Sequence, residues 1–257
     1  KKQLCIWIMT AAALWRQNKK IFMTSDLLKI GDIEKFSIVD FPTKIAAVVF
    51  MQGCPWRCPF CYNASLQNPN SNDNTGWDKL INLLEHRKGI LDAVVFSGGE
   101  PLMQSNLPQA MDIVKDMGFE IGLHTGGYNP QALKKVIDKV SWVGMDIKVP
   151  LDTERYTKVT GCPTPIGNIK ESLQILIGSG IHFECRTTCD PRILEIADIY
   201  NIADELSALG VKEYYLQKYR PIPTDKTTQD SDCDKFFDDS ALLSYLKSKF
   251  EIFDVRK

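Results

Sequence analysis

A partial (β/α)6 barrel of parallel strands, open on one side, is the α/β fold this chain predicts. Short apolar runs of strand type alternate about six times with runs of helical period, and the connections are short. The strand-like runs are apolar almost throughout, as in a sheet covered on both faces. Reactive and charged residues gather just after those runs, where open parallel sheets and barrels carry their functional loops. Six units are too few to close the eight-fold barrel, hence the open side.

Lys29 to Pro42 reads as a lead-in whose Asp40 and Pro42 mark a turn. Lys44 to Met51 is a nearly continuous apolar run, the first buried strand. A loop rich in Asn, Ser and Gln covers 64–76, and Trp77 to Lys88 has apolar residues at helical spacing. Leu91 to Phe96 is the second strand, Leu107 to Met117 a helix with Gly118 as its cap, and Phe119 to His124 the third strand. Pro130 to Val140 is a helix and Trp142 to Val149 the fourth strand. A polar loop over 150–164 leads to a helix from Ile166 to Ile177 and a fifth strand from Ile181 to Thr188. Arg192 to Leu209 is an amphipathic helix and Val211 to Gln217 the sixth strand. Residues 218–235 are polar without apolar period, Phe236 to Phe250 is a terminal helix, and Glu251 to Val255 suits a short edge strand.

The 257 residues are 44% hydrophobic and 25% charged, enough for one sizeable core. A formal net charge of -1 offers no broad basic field, so no nucleic-acid partner is expected. Eight cysteines without a paired small-domain layout suit a reducing, cytoplasmic setting. Residues 1–22 hold an apolar run, Leu4 to Trp15, too short to span a membrane and followed by Arg16 to Lys20 instead of a small-residue cleavage site. No membrane partner is expected. The expected organisation is an N-terminal extension outside the core at 1–28, the barrel at 29–220, and a C-terminal loop and helix packed on it at 221–257.

Cys54, Cys58 and Cys61 fall at C-x3-C-x2-C spacing in the loop after the first buried strand. Three thiolates there point to a metal centre. A structural zinc site needs four ligands, and no second Cys or His pair stands at a suitable distance downstream. A cubane iron–sulfur cluster accepts a thiolate on each iron, and three cysteines would leave one iron open. A non-catalytic iron–sulfur or zinc-binding module is the alternative. Gly53 permits an unusual turn, and Pro55 and Pro59 stiffen the loop.

Other candidates end the later strands. Gly98-Gly99-Glu100-Pro101 offers backbone that can approach a ligand and a carboxylate that can accept from an ammonium group. His124-Thr125 ends the third strand. Asp146 and Lys148 share one face at period two, where they can pair with each other or serve a ligand. Arg186 and Gln217 are polar residues in otherwise apolar or aromatic strands and need partners or a ligand. Cys185 and Cys189 read as reduced core or loop cysteines, and Cys5, Cys162 and Cys233 are isolated.

With Phe60 in the aromatic position, the cysteine loop resembles the C-x3-C-x-aromatic-C signature of the radical S-adenosylmethionine (SAM) superfamily. The run from Glu34 to Phe50, followed by Gln52-Gly53-Cys54, resembles the anaerobic ribonucleoside-triphosphate reductase activating proteins in their longer form, which are glycyl-radical-enzyme activases. The resemblance covers about residues 29–220. It implies a [4Fe–4S] cluster on Cys54, Cys58 and Cys61, with SAM on the open iron. It also implies that Gly98 to Pro101 hold the methionine amino end, Lys148 the SAM carboxylate and Asp146 the ribose side. His124 and Thr125 would line the SAM pocket, and Tyr62 would lend its backbone to the adenine. The implied reaction takes an electron from reduced flavodoxin or ferredoxin and cleaves SAM to methionine and a 5′-deoxyadenosyl radical. That radical then abstracts hydrogen from a glycine Cα of a partner enzyme. A radical SAM enzyme acting on a small molecule or a peptide is the neighbouring alternative. Two positions depart from the pattern. Tyr62 stands where relatives commonly have His, and His124 where some have an Asp that helps to hold a monovalent cation.

Overall fold

The computed structural model describes residues 27–71 and 75–257. The expectations for the apolar run and basic stretch of residues 1–22 lie outside the described residues. Leu27 and Leu28 are buried in the core, so packed chain begins before the boundary drawn at residue 29.

One eight-stranded sheet carries the fold, its strands in sequence order: β1 (Ile30–Ser37), β2 (Ala46–Met51), β3 (Ala93–Gly98), β4 (Glu120–Thr125), β5 (Trp142–Asp146), β6 (His182–Cys189), β7 (Glu213–Lys218) and β8 (Ile252–Arg256). β2 to β8 run parallel, and β1 lies antiparallel on β2. β1 and β8 are the two ends of the order, so the barrel is open between them. The helices are α1 (Trp77–His86), α2 (Leu107–Asp116), α3 (Pro130–Lys134), α4 (Thr153–Thr160), α5 (Ile166–Ser179), α6 (Ile196–Leu209) and α7 (Ser240–Lys249).

The six expected strands are present, the short edge strand expected at Glu251 to Val255 is β8, and β1 is an edge strand added at the other side. The lead-in forms β1, where only Ile30 and Ser37, its first and last residues, are fully buried. An edge strand with one face in solvent needs no continuous apolar run, so β1 carries no such signal in the sequence. The polar loop at 150–164 contains α4. Asp152 caps it by accepting from the Arg155 N–H at 2.8 Å, Tyr156 and Val159 face inward, and Gly161 ends it in the left-handed region. The last helix starts at Ser240, where Asp239 accepts from the Leu242 N–H, while Asp230–Phe236 forms tighter 3-10 turns.

The strands are apolar on both faces because each face has its own core. Ala47, Val49 and Met51 pack outward under the helices. Ala46 and Val48 point into the barrel, against Phe41, Ala93, Val95 and Trp142. Phe41 belongs to the turn between β1 and β2, and its ring lies 5.5 Å from that of Trp142. This turn therefore plugs the barrel at the N-terminal ends of the strands and leaves the C-terminal ends for a site.

Candidate active site

The cysteine loop is held by its neighbours. Gly53, at φ +100°, donates its N–H to Leu66 O at 2.7 Å, and Cys54 N–H reaches Gln67 O at 3.2 Å. The Gln52 side-chain amide donates to Asn68 O at 2.6 Å, and Arg57 N–H donates to Thr160 O at 2.6 Å, which ties the loop to α4. Cys54, Cys58 and Cys61 are free thiols that line one cavity with Trp56 and Phe60. Among the described residues no three His, Cys, Asp or Glu side chains converge on a single ion. A cubane sets its thiolates on separate irons, so soft donors spread around a common cavity suit a cluster better than one zinc.

Charge is arranged around these thiols. Burial pushes the Cys54 thiol up to about 12 and also raises Cys58, while Lys148 draws both down. Burial disfavours the Lys148 ammonium, but Asp146 and the two thiols outweigh it and hold Lys148 charged above its usual range. Its Nζ sits 5.4 Å from the Trp56 ring centroid and 5.5 Å from that of Phe60.

Gly98 and Gly99 serve a close approach, but to the chain itself. A Cβ at Gly98 would strike the Phe50–Met51 backbone, and one at Gly99 the Gly53 carbonyl oxygen. Gly99 N–H donates to Met51 O and Glu100 N–H to Gly53 O, both at 2.9 Å, locking the end of β3 to the start of the cysteine loop. Glu100, 2% exposed, accepts from Leu102 N–H (3.0 Å), Thr125 Oγ1–H (2.8 Å) and Gly126 N–H (2.9 Å). Burial raises its pKa, and these donors and Lys148 oppose that. Pro101 is buried as the first residue of the turn after Glu100 and does not line the cavity.

β4, β5 and β6 supply the inner wall. His124 Nε2 stands 3.1 Å from Asp40 O and 3.3 Å from Arg186 Nη1, and its Nδ1 stands 3.1 Å from Ser97 Oγ. Burial and the nearby Arg186 guanidinium hold its pKa well below the usual value, so it is neutral at neutral pH. Arg186 Nε donates to Asp146 Oδ1 at 3.0 Å, whereas Lys148 Nζ is 3.6 Å from Asp146 Oδ2. Burial works to raise the Asp146 pKa, but Arg186 and Lys148 prevail and keep it ionised. The expected pairing of Asp146 with Lys148 is thus the longer of its two contacts. β5 ends at Asp146, so Lys148 lies past the strand, its N–H on Tyr156 Oη at 3.2 Å.

The cavity brings together Cys54, Cys58, Phe60, Cys61, Tyr62, Gly98, Gly99, Glu100, His124, Thr125, Asp146, Lys148 and Arg186. Gln217 lies instead in an adjoining lateral cleft with Asp40, Lys218, Arg220 and Arg256, which shares Tyr62, His124, Asp146 and Arg186 with the cavity. Reading the sequence missed Trp56, Ser97 and Gly126. Trp56 stands inside the cysteine spacer, which was a usable signal. Gly126 follows a strand end, and any side chain there would strike the Trp56 ring.

Residues 48–191 match the family model of the radical SAM superfamily. The chain is 24% identical over 254 residues to a Methanocaldococcus jannaschii protein provisionally named a glycyl-radical enzyme activating enzyme, covering 87% of this chain and 98% of that protein. It is 32% identical over 138 residues to the pyruvate formate-lyase-activating enzyme of Clostridium pasteurianum, covering 52% of this chain and 57% of that one. The fold is similar to QueE from Escherichia coli, with a TM-score of 0.53 and 15% identity over 91% of this chain and 96% of that one.

Proposed function

This chain belongs to the radical SAM superfamily, and on that premise we propose that it is a glycyl-radical-enzyme activase whose target is an anaerobic ribonucleoside-triphosphate reductase. The observation that carries the activase reading is the meeting of three thiols, Glu100, Asp146 and Lys148 in one cavity at the C-terminal ends of the parallel strands. The names of the two relatives point to the same class of partner. The run from Glu34 to Phe50 supports the choice of reductase.

Cys54, Cys58 and Cys61 would hold three irons of a [4Fe–4S] cluster, and the soft donor set fits that group. When bound, the cluster and SAM supply a one-electron cleavage that delivers a carbon radical to a glycine Cα of the partner. Glu100 would present a fixed carboxylate to the ammonium end of SAM, and Lys148 a cation to its carboxylate. Asp146, held ionised by Arg186, would serve the ribose side. Neutral His124 and Thr125 complete the wall, and Tyr62 would lend its backbone to the adenine. Trp56 and Phe60 exclude water from the reacting end. Reduced flavodoxin or ferredoxin supplies the electron, in the cytoplasm. Residues 29–220 and 221–257 act in this reading as one unit, because β8 extends the sheet from β7.

The test is electron spin resonance on a candidate anaerobic reductase incubated with reconstituted protein, SAM and dithionite. A glycyl-radical doublet is expected with the wild type and none with Cys58→Ala. SAM cleavage to 5′-deoxyadenosine without any doublet would shift the reading to a small-molecule or peptide substrate.

A further inference from the structure

Tyr62 follows the last cysteine of the loop, yet its hydroxyl is engaged on the other side of the barrel. Its Oη accepts the Arg220 N–H at 2.8 Å, across 158 positions of sequence. Its ring stacks on Tyr219, with centroids 6.3 Å apart and an interplanar angle of 26°. The loop carrying Tyr62 leaves β2, and Arg220 lies just past β7. These strands are each one in from the open edges β1 and β8, so the contact crosses above the split in the barrel.

Both ends of this crossing are anchored. Tyr219 is buried, accepts from Arg192 Nη2–H at 2.9 Å and donates to Asp225 Oδ2 at 3.0 Å. Arg220 precedes Pro221, which restricts its backbone to extended conformations. At the near end Cys61 N–H reaches Cys58 O, and Asn63 O accepts from Leu66 N–H. The ring between these anchors is 55% exposed and lines both the cofactor cavity and the lateral cleft.

We propose that Tyr62 is a positioning residue with two parts, a hydroxyl that clasps the cysteine loop to the end of β7 and a ring that partitions the cofactor cavity from the lateral cleft. The inference rests on the activase reading above. The ring stands at the boundary that the cavity and the lateral cleft share, where a partner segment entering the cleft would meet it. Cleavage of SAM is then coupled to the presence of substrate. A histidine here is too short to reach the Arg220 N–H, so the clasp belongs to the tyrosine.

Two variants separate the two parts. Tyr62→Phe keeps the ring and loses the clasp, and Tyr62→Leu loses both. Amide hydrogen exchange is measured on the reconstituted proteins, and 5′-deoxyadenosine formed with SAM and dithionite is measured with and without the candidate reductase. Exchange at the Arg220 amide is expected to rise about tenfold in both variants, the worth of one hydrogen bond. The ratio of partner-free to partner-dependent 5′-deoxyadenosine is expected to rise severalfold in Tyr62→Leu. Both reactions draw on one preparation of each variant, so differences in cluster loading cancel in the ratio. Unchanged exchange at Arg220 in Tyr62→Phe overturns the clasp, and an unchanged ratio in Tyr62→Leu overturns the partition. If the wild type makes 5′-deoxyadenosine but never a glycyl radical, the activase reading fails while the exchange measurement still decides the clasp.

Discussion

Glu100 shows how one buried side chain joins two strand ends, those of β3 and β4. Its two oxygens take the Leu102, Thr125 and Gly126 donors. In Glu100→Gln the carbonyl oxygen can keep the first two, but the new amide group faces the Gly126 N–H and leaves a buried donor unmatched. A loss of about 1–3 kcal/mol is expected in urea unfolding, along with loss of SAM cleavage. An unchanged midpoint would show that the three bonds do not define the site. Gly99→Ala tests the neighbouring claim. Its Cβ would meet the Gly53 carbonyl oxygen, so the variant should lose iron binding on reconstitution as well as stability. At this scale the cysteines, Glu100, Asp146 and Lys148 were legible, because spacing and position after a strand mark them. The role of the two glycines was not, because the backbone they approach comes from another strand. The clasp at Tyr62 was hidden for the same reason, its partner lying 158 positions away.

Among elements, the polar stretch at 218–235 shows the limit of periodicity. It has no apolar rhythm, yet it is pinned by charge. Arg192 pairs with Asp190 and Asp225, stacks over Tyr219 at 4.9 Å, and so fixes the chain after β7. Asp225 also accepts from the N–H groups of Thr227 and Thr228. Of these partners only Asp190 lies near Arg192 in sequence, so the knot left no local pattern. Removing Arg192 leaves the fully buried Asp190 carboxylate without its cation. Arg192→Ala should lower the melting temperature by several degrees and open 219–236 to protease. The knot also carries a pH dependence. Burial works to raise the Asp225 pKa, but its hydrogen bonds prevail and hold it below the ordinary carboxylate range. A pKa lowered on folding gives stability that is fully present above the unfolded value of about 4 and is lost as pH falls through the folded value. The melting temperature should therefore drop on acidification below about pH 4, with a shallower drop in Asp225→Asn. Equal slopes in both proteins would remove Asp225 from this account.

For the whole molecule, the open barrel follows from where the apolar residues end. Largely apolar runs revealed the six inner strands and a short run at Glu251 to Val255 the edge strand β8, whereas the edge strand β1 mixes polarity and blends into the lead-in. The plug was equally hidden, because Phe41 lies in a turn and its packing on Ala93, Val95 and Trp142 is decided by the closing of the barrel. Phe41→Ala should cost about 3 kcal/mol, since the rigid wall around it cannot collapse into the space. The plug closes one end of the barrel, the cysteine loop and Tyr62 cover the other, and the split between β1 and β8 leaves the lateral cleft as the way in. This geometry suits a substrate delivered as a segment of another protein. Deuterium transfer tests that most directly. The candidate reductase is labelled with glycine deuterated at Cα and incubated with the reconstituted protein, SAM and dithionite, and the 5′-deoxyadenosine is analysed by mass spectrometry. Incorporation of one deuterium, together with a glycyl-radical signal, is the predicted result. Unlabelled 5′-deoxyadenosine from a reaction in which SAM is fully cleaved would contradict it.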